Sequence, residues 1–94
     1  MAKAEIGWKK RDEEGQKVQV YAQHVGDRWL FYWRPGRFDQ WEVLEKPPLE
    51  DWLELLNGIE RAANRRRFPI KEAERVRRHI LELFPEAEIP GWKR

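Results

Sequence analysis

Trp29-Leu30-Phe31-Tyr32-Trp33, set between Arg28 and Arg34, is the stretch on which the fold turns. Five consecutive large apolar or aromatic residues make a strand with no polar face. A half-buried strand alternates, with one set of side chains toward the core and the other toward water. This run asks for cover on both sides. Either the chain wraps both faces, or one face meets a partner.

The flanking sequence turns the run into a hairpin. Residues 17–24 place Val18, Val20 and Ala22 on one side and Gln19, Tyr21 and Gln23 on the other. Between them and the aromatic run stands Val25-Gly26-Asp27-Arg28, with Gly at the first central position of a two-residue type II′ turn. That turn sets the register, with Ala22 opposite Phe31, Val20 opposite Trp33 and His24 opposite Trp29. Residues 6–10 read as a further strand at the N-terminal side, closed by the polar turn Arg11-Asp12-Glu13-Glu14-Gly15.

Downstream, Arg34-Pro35-Gly36-Arg37 reads as a turn and residues 38–44 as the returning strand. Two loop lengths fit. A tight loop pairs Trp33 with Phe38 and puts Trp41 and Val43 on the Leu30/Tyr32 face. A loop one residue longer puts both on the Trp29/Phe31/Trp33 face, because a one-residue slip inverts every side chain. An L-Pro-Gly pair is not a preferred two-residue hairpin turn, which favours the longer loop.

Composition changes at Lys46-Pro47-Pro48, from strand-like to helical. Pro48 suits a first helical turn, and Glu50 and Asp51 suit the positive end of a helix dipole. Leu49, Trp52, Leu53, Leu56, Ile59 and Ala63 recur at three- and four-residue spacing as one apolar stripe. Phe68-Pro69 breaks the chain. A second helix over 70–84 turns Ile70, Ala73, Val76, Ile80, Leu83 and Phe84 inward, and Pro85 stops it. The tail, 85–94, carries Ile89 and Trp92. The expected architecture is α+β: an antiparallel β-meander of three to four strands followed by a two-helix hairpin packed on one sheet face. The 94 residues are expected to form a single domain, with a strand half over about 5–45 and a helical half over about 48–84.

The residue inventory excludes several chemistries. The chain has no Cys, Ser or Thr, so it has no disulfide, no thiolate metal site and no Ser, Thr or Cys nucleophile. No glycine-rich phosphate loop occurs. Of the two histidines, His79 shares a helix face with Glu82 at i,i+3, but no second pair converges to complete a metal site. The expected protein is therefore not an enzyme and takes no cofactor or metal. Met1-Ala2-Lys3-Ala4-Glu5 lacks the apolar core of a signal peptide, and no apolar run approaches the ~20 residues of a membrane span. A cytoplasmic setting with no membrane partner is expected.

Two surfaces remain as candidate sites. The first is the second sheet face, with Tyr21, Leu30, Tyr32 and, in the tight register, Trp41. The two helical stripes hold enough apolar side chains for one sheet face and not for two. Either the N-terminal strand (Ile6, Trp8) and the tail (Ile89, Trp92) fold over the other face, or it binds a protein partner or a second copy in a homodimer. The second surface is the basic stretch from Arg61 to Arg78. It holds Arg61, Arg65, Arg66, Arg67, Lys71, Arg75, Arg77 and Arg78 against only Glu72 and Glu74. Arg65, Arg66, Arg67, Lys71, Arg75 and Arg78 can contact phosphates of nucleic acid. They also serve as an ordinary solvated helix face whose last-turn cations complement the dipole. Joining the two surfaces, Tyr21, Tyr32 and Trp41 could stack bases of a single strand, though the RNA-recognition signature and its strand–helix order are absent. The principal expectation is a small tryptophan-rich interaction domain using its sheet face. The alternative is an accessory nucleic-acid-binding protein using the basic helical corner.

Overall fold

Four strands in the order β1-β2-β3-β4 make one antiparallel meander, and two helices follow. The structure is a computed structural model of the chain, and it describes residues 5–26, 28–36, 38–64 and 70–89. The strands are β1 (Glu5–Arg11), β2 (Lys17–Val25), β3 (Arg28–Arg34) and β4 (Glu42–Val43); the helices are α1 (Leu49–Asn64) and α2 (Ile70–Leu83). The chain divides into two compact units, Met1–Pro47 and Pro48–Arg94. The boundary falls on the composition change at Pro47-Pro48.

In the first unit, the turn between β1 and β2 is held by two side chains, and Arg11 Nη1 donates to the Gly15 carbonyl at 2.7 Å. Asp12 Oδ1 accepts hydrogen bonds from the backbone N–H groups of Glu14 and Gln16, both at 2.9 Å. Gly15 sits at φ +82°, a left-handed conformation that Gly adopts without a Cβ penalty. The β2–β3 hairpin has the expected register: Ala22 faces Phe31, Val20 faces Trp33 and His24 faces Trp29. Gly26, at φ +62°, supplies the positive φ that a two-residue hairpin loop needs at its first position.

One sheet face carries the unit's buried side chains. Val18, Val20, Ala22, Trp29 and Phe31 are all buried. Ile6 pairs with Ala22 and Trp8 with Val20, so β1 adds its apolar residues to this same face. The Trp8 ring meets Phe31 edge-on at 6.0 Å. β1 therefore extends the sheet sideways and does not fold over the Leu30/Tyr32 face. In the tail, Ile89 is buried, while Trp92 lies outside the described residues.

The second unit differs from the expected stripes in both helices. α1 starts one residue after Pro48, whose carbonyl accepts from the N–H groups of Asp51 and Trp52. Its buried side is Asp51, Trp52, Leu55, Leu56 and Ile59. Leu55 belongs to the core although the expected stripe omits it, and Leu53 is only half-buried. In α2, Ala73, Val76 and Ile80 are buried as expected, but Leu83 is half exposed. Leu83 is the last helical residue, and the chain leaves the helix at Pro85 before another turn can enclose it. Across the two helices, Trp52 meets the His79 ring at 5.1 Å and Arg77 lies 3.5 Å from Glu60. The side chains of Ala63 and Ile70 and the Phe68-Pro69 break lie outside the described residues.

Candidate functional site

The position of Trp41 follows from the β3–β4 register. Tyr32 pairs with Val43 and Trp33 with Glu42. Val43 therefore shares the Tyr32 face, and the longer-loop expectation that placed it and Trp41 beside Trp33 is corrected. The tight-loop pairing of Trp33 with Phe38 is also replaced: residues 35–41 form the connection, and Phe38 in it is almost fully exposed. Trp33 meets Glu42 and not Phe38, a shift by an even number of residues, which preserves the face. The returning strand shrinks from 38–44 to Glu42–Val43. Gly36 explains part of the loop. Its carbonyl accepts from the Asp39 N–H at 3.0 Å, and a Cβ at Gly36 would lie only 2.7 Å from the Asp39 carboxylate.

Four side chains interlock on this face. Tyr21 and Tyr32, a directly opposed cross-strand pair, stack at 4.9 Å and 19°. Trp41 meets Tyr21 at 4.6 Å and a right angle, and the Arg34 guanidinium lies 4.4 Å over the Trp41 ring. Arg34 is held in turn by Gln19 on the neighbouring strand, its Nε donating to Gln19 Oε1 at 2.6 Å. A guanidinium over an indole is attracted by the ring quadrupole, by about 0.5–2 kcal/mol. The expected quartet Tyr21, Leu30, Tyr32 and Trp41 is thus gathered on one face. Leu30 and the tyrosines are half-buried, and Trp41 is 38% exposed.

Beside this cluster lies an open depression of about 560 Å³, lined by Glu5, Gly7, Lys9, Gln19, Tyr21 and Trp41 among others. Gly7 pairs with Tyr21, and its missing side chain leaves the hollow. The register also places charges. Lys9, Arg11, Lys17, Arg28 and Arg34 share the parity of Tyr21 and Tyr32, and Glu5 is the one carboxylate among the described strand residues of that face. Gly7, Lys9 and Arg34 are site residues that sequence reading did not single out. Their signal was present in strand parity: for Arg34 in the β2–β3 register, and for Gly7 and Lys9 once β1 had been placed beside β2.

Burial, the Glu5 carboxylate and then the Tyr32 phenol all hold the Tyr21 hydroxyl above its ordinary pKa of 10.0. A raised folded-state pKa means that the unfolded chain loses this proton first as pH rises. The Tyr21 contribution to stability is therefore fully present below pH 10.0 and lost as pH climbs above it. Urea melts across this alkaline range should show a fall in stability that is smaller in Tyr21→Phe. An equal fall in both proteins would deny Tyr21 this role.

The basic corner is more dispersed. Arg61, Lys71, Arg75 and Arg78 are exposed. Arg75 pairs with Glu72 at 3.2 Å within its own helix, and Arg77 is engaged by Glu60. Arg65, Arg66 and Arg67 lie outside the described residues. His79 Nδ1 is 3.7 Å from Glu82, and no group of three His, Asp or Glu gathers around a metal position among the described residues. No helix among those residues is long and apolar enough to cross a membrane. Comparison with models of known protein families, with curated proteins and with solved structures returned no match.

Proposed function

We propose that this protein is a small interaction module that takes an acidic segment of a protein partner on the Tyr21/Leu30/Tyr32/Trp41 face of its sheet. The observation that carries the reading is the charge of that face: among the described strand residues, five cations and one carboxylate share it with the aromatic cluster. A symmetric homodimer through the same face would set like charges against each other, because a two-fold interface uses one patch twice. An acidic partner is attracted by the same charges, and complementary potential sets both association rate and partner choice. A single-stranded nucleic acid is the competing polyanion. Its bases need unoccupied ring faces on which to stack. Here the rings are engaged with one another and with Arg34.

Selection of a random phage-displayed peptide library on the full chain tests the reading. Enriched peptides are expected to carry excess Asp and Glu. Trp41→Ala and Arg34→Ala should each weaken them by about tenfold, the size of one good interfacial contact. Enrichment of neutral or basic peptides, or tighter binding of oligothymidine or oligouridine, would reject it. So would light scattering that gave a dimer abolished by Trp41→Ala.

A further inference from the structure

The outer edge of β1 has a fixed chemistry that the ladder reveals. The Asp12 N–H donates to the Gln16 carbonyl at 2.9 Å, so Asp12 points its backbone groups toward β2. Backbone direction alternates along a strand. Lys10, Trp8 and Ile6 therefore pair with β2, and Arg11, Lys9, Gly7 and Glu5 aim their N–H and C=O groups outward. The far end of the sheet agrees. Val25 and Arg28 close the two-residue hairpin, and Leu44 N–H donates to Phe31 O at 2.9 Å, as the same alternation requires across β2 and β3. β1 is a terminal strand in the sheet order, and no other strand among the described residues lies along its outer side.

The residues with outward backbone groups are also those with side chains on the aromatic face. A strand laid beside β1 would thus put its paired side chains on that face, opposite Glu5, Gly7, Lys9 and Arg11 in turn. Opposite Lys9 and Arg11, a carboxylate is favoured and a cation repelled, by the cross-strand rule. Opposite Gly7 lies the hollow bounded by Tyr21 and Trp41, which has room for a large side chain. A second copy of β1 fits poorly. The strand carries Lys9, Lys10 and Arg11 against Glu5 alone, and edge cations of this kind deter pairing between like strands.

We infer that the partner segment adds as a further strand along the outer edge of β1, with acidic side chains opposite Lys9 and Arg11 and one large apolar side chain opposite Gly7. This rests on the acidic-partner reading above and states how that partner is held. Backbone hydrogen bonds give affinity in such strand addition, and alternate side chains give specificity. In the antiparallel sense the segment reads acid-x-acid-x-large apolar, and in the parallel sense the reverse.

The strongest acidic peptide from the library selection is the probe. N-methylation of each of its amides in turn should weaken binding by about tenfold at every second position and little between, since each lost backbone bond is worth roughly that factor. On the protein, amide exchange at Gly7 and Lys9 should slow on binding. Lys9→Pro should bind about tenfold more weakly than Lys9→Ala, which keeps the N–H but shares the charge loss. The N-methyl scan needs no change in the protein, so it stands even if Lys9→Pro does not fold. An acidic peptide whose binding depends on Trp41, but which shows no period of two and no protection at Gly7 and Lys9, overturns strand addition and leaves the acidic-partner reading standing. Selection of no acidic peptide overturns both.

Discussion

Phe31→Ala is expected to remove about 3–5 kcal/mol of stability, the usual cost of truncating a buried aromatic. Stabilities of small domains run at about 5–15 kcal/mol, so this one change can consume much of the total. Phe31 is buried at the centre of β3, opposite Ala22, which is wholly enclosed, and against the edge of Trp8. A large ring over a small partner leaves a space that Ala22 cannot fill. The comparison is Leu30→Ala, one residue away on the other face and half-buried. There the expected loss is about 1 kcal/mol, as for an ordinary partly exposed site. Urea melts of the two variants decide it. Equal losses would mean that both faces of β3 carry the core, and the case for a binding face would lose its basis.

Much of the strand half could be read from residues. The β2–β3 register follows from Gly26 alone, since a two-residue loop with positive φ at its first position permits one alignment of the flanking strands. The β3–β4 register does not follow from Pro35-Gly36, because that pair begins a longer connection, residues 35–41, and not a hairpin turn. Its length depends on Asp39 bonding back to Gly36 and on Trp41 finding Tyr21, and both are tertiary events. The aromatic part of the candidate site was legible as far as Tyr21, Leu30 and Tyr32. Its charged part was legible for Lys17, Arg28 and Arg34, which follow from the β2–β3 register, and not for Lys9 and Arg11, which join it only through the pairing of β1 with β2, across a turn whose length Asp12 sets. On the helical side, the i,i+3,i+4 spacing located both stripes but not their width. A narrow stripe and a wide one share most of their positions, and only packing tells them apart.

Leu55→Ala tests that width. Leu55 is fully enclosed, and its removal is expected to cost about 2–5 kcal/mol, the range for a leucine cavity in a packed core. Leu53, which spacing alone places in the stripe, is half-buried, and Leu53→Ala should cost about 1 kcal/mol. Both substitutions keep high helix propensity, because Ala is the best helix former, so the difference between them reports packing and not backbone preference. The buried set 51, 52, 55, 56 and 59 spans a broad side of α1 and includes the Asp51 carboxylate, which stands in the first turn where the helix dipole favours a negative charge. If Leu53→Ala proved the more costly, the enclosed side of α1 would be turned toward Leu53, which lies ~100° from Trp52 and ~60° from Leu56 on a helix of 3.6 residues per turn. Trp52, Leu56 and Ile59 would stay in the core, because they belong to either version of that side, and Asp51 and Leu55 would leave it.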